Sequence, residues 1–96
     1  MNLDDIKNEK RDDIMLIARK HGARRIWVFG SVARGDADES SDIDFLVEME
    51  RGRSLLDMGG LLMDLRELFG REVDVVSVRG LKPRIRERVL REAVAL

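Results

Sequence analysis

Residues 26–47 read IWVFGSVARGDADESSDIDFLV. A short apolar run, residues 26–29, ends in Gly30-Ser31. A polar loop follows, and then a second apolar run with two aspartates inside it, Asp42 and Asp44. Side chains alternate along a strand, so acids at i and i+2 share one face, while Ile43, Phe45 and Val47 point to the other, toward a core. Two carboxylates side by side repel unless a proton or a cation lies between them. A hard, oxygen-ligated cation such as Mg²⁺ suits that geometry. Gly30-Ser31 supplies the complementary half. Glycine lets a phosphate approach the chain, and a strand that turns into a helix there presents N–H groups to an anion. Metal-binding acids on one side of a turn and a phosphate cradle on the other make the plan of a phosphoryl or nucleotidyl transfer site.

The flanking sequence supplies a frame for that site. Residues 24–29 and 42–48 are predicted strands, rich in β-branched and aromatic residues. Trp27 is read as a core or interface residue, with stacking on a nucleobase as the alternative. Residues 31–34 form a short helical turn that puts Arg34 one turn from Ser31, within reach of a phosphate or, alternatively, of one of the many nearby acids. Asp38, Glu39 and Ser40 read as a solvated loop, and Ser41 is placed to cap or hydrogen-bond Asp42. Upstream, residues 4–21 are a predicted helix, with Ile6, Ile14, Ile17, Ala18 and His21 on one face and Gly22 as its stop. His21 is read as a helix-end residue. Downstream, Ser54-Leu55-Leu56-Asp57 matches a helix-start box, and the helix runs to Phe69 behind an apolar face of Leu55, Met58, Leu62, Leu65 and Phe69. Gly59-Gly60 in mid-helix is costly, about 1 kcal/mol each relative to alanine, and implies either close packing against a strand or a kink. Residues 72–78 form a third strand with Asp74 inside its apolar run, an edge residue or, beside the Asp42/Asp44 pair, a site residue; Glu72 at the strand's start is a rival but reads as solvated at a turn. Pro83 opens a last helix that is predicted to run to the chain terminus, with Ile85, Val89, Ala93 and Leu96 as its stripe. That apolar end either closes the core or docks on another subunit. Strands alternating with helices give an α/β (α+β) layer in the order α-β-(turn)-β-α-β-α.

The chain has 96 residues, enough for one domain with a small core. Hydrophobic residues are 44% and charged residues 39%, which describes a globular chain with a heavily charged surface. The net charge of −1 gives no bulk argument for nucleic acid as a partner, but the charge is unevenly placed. Seven acids and no base fall in residues 36–50, and six bases against two acids in residues 79–92. There is no cysteine and one histidine, which excludes disulfides and argues against structural zinc. No apolar run approaches the ~20 residues of a membrane span, and the N-terminus lacks signal-peptide character, so a cytoplasmic location is expected.

Gly30-Ser31-x2-Arg34-Gly35-Asp36, then Ser41-Asp42-Ile43-Asp44, then Asp74 between apolar residues, resembles the minimal nucleotidyltransferases of the DNA polymerase beta-like superfamily. Their pattern is hG[GS], [DE]h[DE]h and a third h[DE]h. The three parts in this order are specific, where Gly-Ser or Asp-x-Asp alone would be weak, and the resemblance covers nearly the whole chain. It implies a small mixed β-sheet with helices packed on one face and the acids on the open face. It also implies transfer of a nucleoside monophosphate, AMP from ATP, to an acceptor hydroxyl. Asp42, Asp44 and Asp74 would hold two Mg²⁺ ions, roughly 3.5–4 Å apart in such sites. Gly30, Ser31, Arg34 and Ser41 would hold the nucleotide's phosphates. Larger relatives carry a further domain for the acceptor, so here the acceptor, or part of the nucleotide pocket, is expected on another chain. The resemblance points to a HEPN-type toxin that this protein would serve as antitoxin, modifying it on a tyrosine. A homo-oligomer is a further expectation. Two rivals stand beside this reading: an antitoxin that neutralises its partner by docking alone, and a small-molecule nucleotidyltransferase, which usually needs an acceptor domain. Polymerisation on nucleic acid is weaker, because the sequence holds four aromatic residues and no basic groove with stacking platforms is evident.

Overall fold

A computed structural model describes all 96 residues. The chain opens with a turn of helix, Leu3–Asp5, capped by reciprocal hydrogen bonds between Asn2 and Asp5. A wider π-type stretch, Ile6–Lys10, leads into α1, Arg11–Lys20. Strand β1, Ala23–Phe29, is followed at once by a short helix α2, Gly30–Arg34. Then come β2, Ile43–Met49, α3, Leu55–Phe69, β3, Val73–Ser77, and α4, Pro83–Glu92. A two-residue strand β4, Val94–Ala95, ends the chain.

The four strands lie in the order β3-β2-β1-β4. β1 runs antiparallel to both neighbours, and β2 and β3 are parallel, joined through α3. Period-two alternation gives the sheet two apolar faces. Ile43, Phe45 and Val47 of β2 join Ile26 and Val28 of β1 under α1 and α3, whose Ile14, Leu61 and Leu65 are fully buried with them. Phe45 is completely covered and meets the Phe69 ring at 5.9 Å between centroids. Burying a side chain of that size is worth about 1.5–3 kcal/mol. The opposite face has a smaller cluster. Leu46 of β2, Leu81, and Val89 of α4 are buried together, with Trp27 and Phe29 packed on them. Trp27 therefore serves the second core. The two long helices share one face, as expected, and α4 covers part of the other. The acids of β2 lie on α4's side of the sheet.

One expectation is corrected at the C-terminus. The last helix does not reach the chain end. It stops at Glu92, Ala93 is extended, and Val94 and Ala95 pair with Val28 and Trp27 of β1. The Leu96 N–H then donates to the Ile26 carbonyl at 3.1 Å. The reason is the open edge of β1, whose unpaired N–H and C=O groups are satisfied better by an added strand than by water. The apolar end thus closes the sheet.

The mid-helix glycine pair also finds an explanation, on a helix instead of a strand. A Cβ on Gly60 would lie 2.7 Å from Cε1 of His21, so Gly60 leaves room for the imidazole at the end of α1. His21 Nε2 in turn lies 2.7 Å from Oδ2 of Asp64, one turn further along α3. Gly59 faces open space, and nothing around it explains the residue.

Candidate active site

The site forms where β1 ends. Gly30 has φ +74°, a left-handed conformation that a side chain would strain. A Cβ there would also overlap the Asp44 carboxylate. Glycine is thus required twice over, by the turn and by the acid resting against it. Val32, buried beneath α2, fixes this short helix to the core, and Gly35 with φ 83° ends it. Across the sheet, register places Phe29 opposite Asp44 and Asp44 opposite Asp74. Asp42 lies two residues before Asp44, at the leading end of β2. The two expected strands, the expected turn and the third strand bring Asp42, Asp44, Asp74 and Gly30 together on one edge of the sheet. Asp42 and Asp74 are exposed and Asp44 is partly covered.

The electrostatics of the cluster centre on Asp44. Burial and the negative charges of Asp74 and Asp42 push its carboxyl up to about 6, opposed only by Arg34. Each neighbour makes the ionised form of Asp44 less favourable, so a cation near it would relieve three like charges at once. Arg34 is exposed and held in a fork: Nε donates to Asp36 Oδ2 at 3.2 Å and Nη1 to Glu92 Oε2 at 3.2 Å. The ion-paired reading of Arg34 is the one seen here, and its charge also bears on Asp44. Ser31 sits half-buried in the first turn of α2.

Ser41 differs from expectation. Its hydroxyl accepts from the Asp38 N–H at 2.9 Å and lies 3.2 Å from the Asp38 carboxylate, with no bond to Asp42. Asp38 and Ser40 are likewise more than solvated loop. The Asp38 carboxylate accepts from both the N–H and the hydroxyl of Ser40, at 2.8 and 2.7 Å, and these bonds hold it below the usual carboxylate range. The loop folds on itself because short polar side chains compete well for local N–H groups. Arg71, just before β3, completes it. One guanidinium nitrogen donates to the carbonyls of Asp38 at 3.2 Å and Glu39 at 3.1 Å, and makes a short contact to the carbonyl of Ser41. Arg71 thereby ties the segment that carries Asp42 to the strand that carries Asp74. Nothing in its sequence context signals this role, because it depends on β3 lying beside β2.

No three acid or imidazole groups already stand close enough to share one ion. The donor set nonetheless fits Mg²⁺, which commonly takes one or two carboxylates and completes its shell with water and substrate phosphates. A concavity of about 760 Å³ lies elsewhere, at the carboxyl end of β2 and β3. Asp42, Asp44 and Asp74 lie outside that concavity, on the more open end of the sheet.

The nucleotidyltransferase domain family matches residues 14–96. The archaeon Methanocaldococcus jannaschii has a protein, MJ0435, named provisionally as a protein adenylyltransferase, 45% identical over 94 residues that cover 98% of this chain and 97% of that protein. The protein adenylyltransferase MntA of Thermococcus cleftensis is 45% identical over 78 residues, 81% of this chain and 79% of its own. Among solved structures, one assigned as a minimal nucleotidyltransferase superposes with a TM-score of 0.87 at 51% identity, covering 100% of this chain and 97% of that one. Two more distant structures share the fold. A toxin–antitoxin complex with AMP-PNP has a TM-score of 0.75 at 22% identity, over 88% of this chain and 69% of that one. The MNT antitoxin bound to a tri-AMPylated HEPN toxin of Shewanella oneidensis has a TM-score of 0.66 at 20% identity, over 88% and 66%.

Proposed function

The chain belongs to the nucleotidyltransferase domain family and is a nucleotidyltransferase, and we propose that it moves AMP from ATP to a hydroxyl of a partner protein, as the antitoxin of a HEPN-type toxin. The observation that carries the reading is the row Gly30–Asp44–Asp74: a carboxylate pressed against a bare Cα and crowded by like charges, in a fold that keeps it there. The names of the 45%-identical relatives support protein as the acceptor class, and the complexes sharing the fold support the partner.

In this reading Gly30 and Ser31 bind the β- and γ-phosphates, and Arg34 neutralises charge on the leaving pyrophosphate. Asp42, Asp44 and Asp74 would hold Mg²⁺, which when bound screens the phosphates and polarises the reacting phosphorus. The acceptor hydroxyl oxygen bonds to the α-phosphorus as the bond from that phosphorus to the bridging oxygen breaks, and pyrophosphate leaves. Asp74, the exposed acid of the row, takes the hydroxyl proton. Catalysis rests on positioning and charge, with no covalent enzyme intermediate. The test is incubation with Mg²⁺ and ATP labelled at the α-phosphate, with and without the protein encoded by the adjacent gene. Label should pass to that protein and the transfer should vanish in an Asp42→Ala/Asp44→Ala variant. A tight complex that forms without transfer and survives the double substitution would instead make this a docking antitoxin on a nucleotidyltransferase scaffold.

A further inference from the structure

The groove at the far end of β2 is built by four separate segments: the start of β1, residues 47–55 with the first turn of α3, Met58, and residues 77–79. It encloses about 760 Å³, in the range of a binding cleft. Four arginines line it, Arg24, Arg51, Arg53 and Arg79, against Glu48 and Glu50. Arg53 is engaged, with Glu50 at 3.4 Å and Asp57 at 3.3 Å. Arg24, Arg51 and Arg79 are exposed and have no ion-pair partner. Glu48 is the one carboxylate of the lining outside an ion pair, so the groove keeps a net positive charge.

Beside these cations stands Leu55, a leucine that the fold does not use, followed by the equally unused Leu56 outside the lining. Leu55 is 84% exposed and Leu56 is 88% exposed, whereas Leu61 and Leu65 of the same helix are fully buried. They are not frayed. Ser54 and Asp57 cap this turn reciprocally, so the leucines are held out on a fixed helix start. Nor is the groove part of the catalytic edge, since Glu48 lies four residues along β2 from Asp44, about 13 Å.

We propose that this groove docks an acidic segment of a partner protein that carries an apolar side chain among its carboxylates. Charge complementarity selects the acid: three unpaired guanidiniums offer planar, two-pronged donors that match carboxylates. Leu55 with Met58 selects the apolar residue, which loses water on binding there. The lining contains no aromatic residue on which a nucleobase could stack, which favours protein over single-stranded nucleic acid. Binding at this end leaves Asp42, Asp44 and Asp74 free. A modified partner could be gripped here while its hydroxyl reaches the acids, but the groove stands on its own residues and would remain if transfer were never found.

The experiment uses the full chain, labelled with ¹⁵N, and follows amide shifts while a short blocked peptide of alternating Glu, Asp and Leu is added. A second titration uses its Lys-for-Glu/Asp counterpart, and a third uses oligouridylate. The acidic peptide should give saturable shifts confined to residues 47–58 and 77–79, with a Kd on the order of 0.1 mM. Arg51→Glu/Arg79→Glu and Leu55→Ser/Leu56→Ser should each weaken it at least about tenfold. All four positions are exposed, so the remaining amide spectrum should be unchanged and will report that the variants are folded. The proposal is overturned if the acidic peptide gives no saturable shift, if its shifts centre on the basic helix α4 instead, if the basic peptide binds equally well, or if oligouridylate occupies the groove more tightly.

Discussion

At its amino end β2 brings Asp42 and Asp44 against Gly30 and Asp74, with Arg34 as the nearest opposing charge. At its carboxyl end the same strand opens into a groove lined by Arg24, Arg51 and Arg79, none of which forms an ion pair. The two ends hold their charge differently. The basic groups are exposed, so water solvates them and they cost the fold little. Asp44 is partly buried among like charges, so its ionised form is disfavoured until a counter-charge arrives. The acidic end is therefore a place where function opposes stability, and the basic end is not. Substitutions can break that contrast directly.

Asp44→Asn carries the largest expected effect. It should remove activity by on the order of 10³-fold or more, equivalent to several kcal/mol of lost charge stabilisation. It should also make the metal-free protein more stable at neutral pH. Folding raises the Asp44 carboxyl from an ordinary value near 4 to about 6, so the folded state binds this proton more tightly than the unfolded chain. Its stabilising contribution is present in full below pH ~4 and is lost as pH rises through about 6. A shift of that size corresponds to at most roughly 3 kcal/mol, and solvent screening of a partly exposed carboxyl reduces it to about 1 kcal/mol, or ~4–8 °C in Tm. Thermal scans without divalent cations should show the variant gaining on the wild type between pH 4 and pH 7. At pH 4 the two should coincide. A variant less stable at pH 7 would mean that Asp44 is held by a partner, not crowded by its neighbours. The Arg51→Glu/Arg79→Glu variant should shift Tm by under ~2 °C, because its sites are solvated.

Gly30→Ala comes next. The left-handed backbone costs about 1–2 kcal/mol for any side chain, and the new methyl must displace the Asp44 carboxylate. Activity should fall about a hundredfold, the usual cost of a 1 Å misplacement, with Tm lower by ~5–15 °C. Wild-type activity in this variant would show that the contact between Gly30 and Asp44 does not position the acid.

The acidic end was legible because each of its signals is local. Alternation puts Asp42 and Asp44 on one face, glycine marks the turn, and a lone acid in an apolar strand marks Asp74. What escaped depends on residues far apart in sequence. Arg71 reaches carbonyls some thirty positions upstream, and only the parallel pairing of β3 with β2 puts it there. Ser41 turned to Asp38 because the loop closes on itself more readily than it caps the strand. Val94 and Ala95 fall between Ala93 and Leu96 of the predicted stripe, within the apolar end of the expected last helix. Their pairing became favourable only once β1 offered an open edge. The groove at the other end was equally hidden, since its arginines come from β1, the β2–α3 connection and the turn after β3. Gly59-Gly60 pointed to close packing against a strand or to a kink, and His21 is brought to Gly60 only when α1 packs against α3.

Glu92→Gln makes the smallest expected change and tests how the acidic end is held to the rest of the fold. Glu92 is the last residue of α4, 19% exposed at its side chain, and its carboxylate receives Nη1 of Arg34 at 3.2 Å. Val89, buried one turn earlier, fixes α4 to the sheet. The arginine is thus drawn between Asp36 in its own loop and an acid anchored by the second core. Gln keeps the shape and removes the charge, leaving Asp36 to pull Arg34 toward the loop. If Arg34 neutralises charge on the leaving pyrophosphate, kcat should fall by about two- to fivefold with KM for ATP nearly unchanged, a modest effect because exposed ion pairs are screened. The difference should shrink as salt is raised, and Glu92→Asp should restore part of it. A raised KM with an unchanged kcat would place Arg34 on bound ATP and not on the departing pyrophosphate at the transition state. An unaltered enzyme would leave Asp36 as the residue that sets Arg34.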